Sequence, residues 1–338
     1  MANSRLLFLD IAKSICIILI VWAHSGGLLS YPLLMLTVPC FFVISGYLHN
    51  SNNNFFEFFR KKFFRLYLPF VCCNLFLPLL TLIKRYSLGL DIKQNIIYIF
   101  KIVLTLSKDG FLFGATWFLG SLFVISVLTK SLEYIFKNQK FRYVFIGIIC
   151  LFIIILSETI FNIEQGIRRT IIGLGFYVIG LYVNLYAENI KRIYNAYKYL
   201  FISVLIPAIF ISFHYVLNFN YGSKSVVNLV CFTVISLCYA YFILFISKIL
   251  EKYKNLFVEL LSFVGKRTLS ILLWQFVFFE IINVILLKIN GVSLTVIEKL
   301  PHTICNSAIC ILIYFIAGLF GPLILSFLYS RINLKFIK

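Results

Sequence analysis

Apolar residues in this chain come in long runs separated by short polar clusters, with little of the apolar–polar alternation of a half-buried strand. About 20 consecutive apolar residues is the length at which an α-helix crosses the hydrocarbon layer of a bilayer. Ten segments read as such spans: 6–25, 31–49, 66–83, 111–129, 143–158, 170–187, 199–217, 226–247, 268–287 and 303–328. An outer-membrane barrel needs alternating strands and is excluded. No polar stretch exceeds a loop, so no soluble domain is expected. The pattern predicts an all-α fold, a polytopic membrane helix bundle of about ten transmembrane helices forming one domain over residues 1–338. The segment 84–108 fits least well because it carries five basic residues, and NIIYIFKIVLTLS (95–107) reads either as a span or as a helix lying on the membrane. No inverted internal repeat of the transporter kind is visible.

Composition sharpens this picture. Only 13% of residues are charged against 62% hydrophobic, with a mean hydropathy of +0.99, whereas soluble domains average about 25% charged. The opening apolar run is too long and too charged for a cleavable signal peptide. A net charge of +19 raises nucleic acid as a partner, but the distribution of that charge favours a membrane. With the N-terminus inside, twenty of the 31 Lys and Arg fall on the cytoplasmic side, ten fall outside and Lys13 lies within a span. That bias places both termini in the cytoplasm of a multi-pass inner-membrane protein, bacterial by expectation, with the bilayer and not nucleic acid as its partner. The nine cysteines form no CxxC pair and lie at no zinc spacing from a histidine, so they read as small buried hydrophobes and no metal site is expected.

The first span poses a chemical question. LDIAKSICIILIVWAHSGG (9–27) carries Asp10, Lys13 and His24, and each ionisable group in a span costs about 3 kcal/mol or more at the bilayer centre. At about 100° per residue, Lys13 and His24 are only about 20° apart in rotation and about 16 Å apart along the axis; Asp10 falls within about 60° of both. One polar stripe therefore carries charge at two depths. The simplest structural reading is an Asp10–Lys13 pair three residues apart; the functional one is a path through the membrane.

The chain resembles a known family at this point. Arg5, Leu9, Asp10 and Lys13, then ten residues and His24, resemble the opening of the acyltransferase-3 integral membrane proteins, whose signature is Arg/Lys-x10-His. Further elements follow in the family's order. These are FFVISGYL (41–48), KKFFRLYLP (61–69) with its basic-x-x-Arg pair Lys62 and Arg65, TWFLGSLF (116–123), GLGFYVIGLYV (173–183) and VGKRTLSILLWQ (264–275). Two positions depart from the pattern. Gln275 stands where members often have histidine, and Ala23 replaces the glycine that usually precedes the first-helix histidine.

The resemblance implies an O-acyltransferase with His24 and Asp10 as the catalytic pair. Histidine, with an unperturbed pKa near 6.5, suits a general base at neutral pH. No bound cofactor is implied; acetyl-CoA or another acyl-CoA is the cosubstrate. Lys62 and Arg65, read here as a cytoplasmic loop, together with the deeper Lys13, are the expected partners of its phosphates. Acceptors in the family are sugars of surface glycans or their lipid-linked precursors. Ser45, Tyr47, Trp117 and Gln275 are candidates for lining the cavity, with Trp117 stacking on a sugar or on the pantetheine arm, while Ser45-Gly46 equally suits close helix packing. Glu280 projects about 140° from Gln275 and ranks below the first-helix set. His49 reads as interfacial, and His214 and His302 as structural. The competing reading is a transporter or flippase for a glycan or acyl group, which also suits buried charges. Acceptor, acyl chain and oligomeric state stay open.

Overall fold

The computed structural model describes residues 6–49, 54–76, 97, 114–136, 141, 145–148, 164–185, 200–206, 226–291 and 303–336. They are almost entirely helical, and no strand occurs among them. The principal helices are α1 (Leu7–His24), α2 (Ser30–Tyr47), α3 (Phe55–Lys62), α4 (Trp117–Ile135), α5 (Gln165–Leu185), α6 (Val226–Leu250), α7 (Leu256–Lys266), α8 (Thr268–Ile289) and α9 (Ala308–Phe336). Six stretches among the described residues are long and apolar enough to cross a membrane, within α1, α4, α5, α6, α8 and α9; Pro32–Tyr47 of α2 is a shorter apolar helix.

The polar first helix sits at the centre of the bundle. α1 packs against α2, α6, α7, α8 and α9, and Ala12, Cys16, Ile17 and Val21 are fully buried. Its N-terminus leaves unbonded amides, as every helix start does, and the Phe8 amide donates to Glu251 Oε1 at 3.2 Å. Glycines set the closest helix contacts. A Cβ on Gly46 of α2 would strike the Tyr177 carbonyl of α5, one on Gly180 of α5 would strike the Val43 carbonyl of α2, and one on Gly265 of α7 would strike the Asp10 carbonyl of α1. Small residues let backbones meet where lipid gives helices little hydrophobic reason to associate. The outer face is the reverse: α9 leaves Ile309, Leu312, Ile316, Phe320 and Ile324 exposed, spaced three and four apart as one lipid-facing stripe.

The structure departs from the sequence reading in four places. Residues 256–266, read as part of a basic loop, form α7, started by the Asn255 side chain accepting from the Val258 amide at 3.0 Å. Lys62 and Arg65 are not in a loop: α3 passes through a wide π-turn at Phe63–Tyr67 and continues as helix to residue 76. The last long helix begins at Ala308, and residues 303–307 ahead of it are irregular. There Cys305 and Cys310 form a disulfide with a Cα–Cα distance of 5.8 Å, so these two cysteines are not inert core residues. Side chains five apart on a regular helix point about 140° apart, so the pairing depends on that irregular stretch. The rest of 95–107 lies outside the described residues except Ile97, which is helical; His214 and His302 also lie outside them.

Candidate functional site

A cavity of about 330 Å³ opens between α1, α2, α3, α4 and α8. Lys13, Lys61, Lys62 and Arg65 stand in its wall with Ser45 and Thr268, and beyond them the wall is apolar, including Ile17, Phe118 and Leu272. No carboxylate lines it among the described residues. Lys13 reaches the wall while its Nζ donates to Asp10 Oδ1 at 2.8 Å, and Asp10 is itself only 2% exposed. Lys61 is paired with Glu57 on the exposed side of α3. Lys62 is half-buried, and loss of water together with the Arg65 charge pulls its ammonium down to about 8. The wall thus joins a cluster of basic side chains to an apolar surface.

His24 lies farther along the same stripe of α1. Ile17 and Ile20 separate it from Lys13 on that face, and both are buried. On α8, Thr268 and Leu272 belong to the cavity wall, and Gln275 comes one turn later on the same face. Gln275 is fully buried, and its Oε1 lies 3.3 Å from His24 Nδ1. An amide oxygen only accepts, so with the Gln275 amide in this orientation Nδ1–H donates to it. Phe276 packs against the imidazole with ring centroids 4.8 Å apart. The stripes of α1 and α8 thus run side by side from a cationic cavity to the His24–Gln275 pair.

The structure brings together Lys13, Ser45, Lys62 and Arg65, and separately His24 and Gln275. Gln275 meets the histidine and not the cavity. Asp10 holds Lys13 and is fourteen residues, about 21 Å of helix, from His24. Tyr47 and Trp117 are not in the cavity wall: Tyr47 meets Phe8 edge-on at 6.3 Å, and Trp117 lies beneath the Arg169 guanidinium at 5.1 Å. Both lie on helix faces turned from the cavity, which motif order alone does not reveal. Glu280 is buried and accepts from Asn283 at 3.1 Å. Sequence reading missed Lys61 and the apolar wall, and it misplaced His49, whose side chain is fully buried. The flanking asparagines that suggested an interface are not what His49 touches; its partners come from α4 and α5.

Among comparisons with known proteins, a family model described as an acyltransferase domain matches residues 6–331. No curated protein and no solved structure gives a significant match.

Proposed function

Because the chain belongs to the acyltransferase-3 family, we propose that it is a membrane O-acyltransferase carrying an acyl group, acetyl in the simplest case, from acyl-CoA to a hydroxyl of a cell-surface polysaccharide or lipid-linked sugar. One observation carries the reading: the cationic cavity and the His24–Gln275 pair lie along the same two helix faces. Lys62, Arg65 and Lys13 would meet the phosphates of the donor at the cytoplasmic end, since cations at a desolvated wall bind phosphate strongly. Asp10 then serves by holding the Lys13 ammonium in place. The thioester arm would extend along the apolar wall past Ile17 and Leu272 towards His24.

At His24 the chemistry needs no further cofactor. Nε2 takes the proton of the acceptor hydroxyl as its oxygen attacks the thioester carbon. The tetrahedral adduct collapses, the carbon–sulfur bond breaks, and the imidazolium returns the proton to the CoA sulfur. Gln275 keeps Nδ1–H engaged and thereby keeps the lone pair on Nε2. It cannot itself relay a proton, so in this chain one histidine acts as both base and acid. The disulfide between Cys305 and Cys310 supports the assignment of the far end to the outer, oxidising side, where acceptor glycans are found. Transport, the competing explanation of the buried charges, gives no account of the family match.

The test is mass spectrometry of surface glycans and their lipid-linked precursors from cells with and without the protein. It is paired with release of CoA thiol by the purified protein given acetyl-CoA and the acceptor so identified. Ester groups that depend on the protein are the expected result. Glycans of unchanged mass, with no CoA released, would sink the proposal.

A further inference from the structure

Next to the cavity lies a second buried polar group that the reaction does not use. Lys130 Nζ donates to Glu133 Oε2 at 2.8 Å. His49 Nε2 lies 3.1 Å from Glu133 Oε1 and its Nδ1 lies 2.7 Å from the Tyr177 hydroxyl. A carboxylate only accepts, so Nε2 donates to Glu133, while Nδ1 and the Tyr177 hydroxyl share the second hydrogen bond. Tyr177 is fully buried and Lys130 is 2% exposed. This network thus ties His49, two residues beyond α2, to α4 and α5.

Its link to the cavity is Phe58 of α3. This ring is in the cavity wall and only 4% exposed. The His49 imidazole packs on it with centroids 5.2 Å apart, and the ammonium groups of Lys130 and Lys62 approach it to 5.8 and 5.4 Å. Elsewhere α3 is held by its first amide, Phe55 N–H, which donates to the Tyr134 hydroxyl at 3.0 Å, and by the rings of Phe59 and, just beyond the helix, Phe63 against Phe123. Apolar contact is non-directional, so ring packing does not by itself fix how the far end of the helix, where Lys62 stands, is turned. Hydrogen bonds have direction, so those to Glu133 and Tyr177 hold the His49 ring, and with it the surface on which Phe58 rests, in one place. We propose that His49 is a positioning residue that, through Phe58, fixes where the Lys62 ammonium stands in the cavity wall. The structural part rests on this geometry alone; its effect on activity rests on the assignment of the cavity to the acyl-CoA donor.

Two measurements test it. In full-length protein with Cys72 and Cys73 replaced by serine, Lys62→Cys is labelled with a soluble maleimide. His49→Ala should change the labelling rate at position 62 at least fivefold. Tyr177→Phe, which keeps the ring and its packing, should shift it in the same direction by less. With Lys62 present, His49→Ala should raise the KM for acetyl-CoA about tenfold and leave kcat within twofold. In a Lys62→Ala background the same substitution should add less than twofold, because its effect has already been lost. General loosening would instead multiply the two effects. An unchanged labelling rate in both variants, or effects on KM that multiply, overturns the proposal. Altered labelling beside a KM that Lys62→Ala does not move leaves the positioning role standing and overturns the donor assignment instead.

Discussion

At the scale of single residues, the role proposed for His24 depends on the Gln275 amide oxygen beside it, which accepts and does not donate. With Gln275 Oε1 holding Nδ1–H, the substitution His24→Gln keeps a polar side chain of similar reach and removes only the ability to accept a proton. It should leave thermal stability in detergent unchanged and lower kcat by about 100- to 10,000-fold, the usual worth of general-base catalysis. A stable variant with wild-type turnover would refute the assignment. Lys62 supports a prediction of opposite character. Its ammonium titrates near pH 8, and an anionic donor binds the charged form. Below pH 8 the charge is present, and above it the charge is lost. The KM for acyl-CoA should therefore rise as pH climbs through about 8, with kcat at saturating donor following a different profile. Lys62→Arg keeps its charge throughout that range and should flatten the rise. A KM–pH profile shared by both proteins would count against Lys62 as a donor contact.

At the scale of elements, the position of Lys13 depends on how closely α7 approaches α1. Gly265 lies against the Asp10 carbonyl, where a Cβ would meet the backbone of α1. Neither backbone has a flexible side chain to yield, so Gly265→Ala must push the helices apart. Overpacking of this kind costs about 1–3 kcal/mol, and the shift falls on the residue that holds Lys13. Thermal unfolding in detergent should show the loss of stability, and the acyl-CoA KM should rise in the same variant. Gly175 and Gly147 have nothing within reach of a Cβ; alanine at Gly175 in α5 is the matched control and should be neutral or slightly stabilising, as Gly-to-Ala exchange in a helix generally is.

At the scale of the whole molecule, the charge bias and the disulfide make one orientation testable. Leu28 is 82% exposed just beyond the C-terminal end of α1, and Glu57 is exposed on α3 at the other end of the cavity. In intact cells Leu28→Cys should react with a membrane-impermeant maleimide, while Glu57→Cys should react only after permeabilisation. An impermeant phosphine added outside should open the Cys305–Cys310 bond. Labelling of Glu57→Cys in sealed cells would invert the topology and put the cationic cavity on the wrong side for a cytoplasmic donor.

What the sequence determined by itself is local or ordered along the chain. Apolar run length gives helices that span a bilayer, and a period of 3.6 puts Asp10, Lys13 and His24 on one stripe of α1. The order of short motifs gives the family. Run length also has limits, because it measures apolar surface and not helix ends. It stopped the fourth span short of the end of α4 at Ile135 and set the last span several residues early, and it gave no sign of α7, which lies outside any long apolar run. The tertiary structure alone decided which stripes face each other. His24 and Gln275 are 251 positions apart, and their contact arises because α8 lies beside α1 with the matching face inward. Tyr47 and Trp117 belong to the same motifs as cavity residues, yet they turn aside, and His49 is drawn into a network by residues 84 and 128 positions away. Periodicity fixes the direction of a side chain relative to its own helix axis. It carries no information about how that helix is rotated against another, which is set by where two backbones can approach, here at Gly46, Gly180 and Gly265.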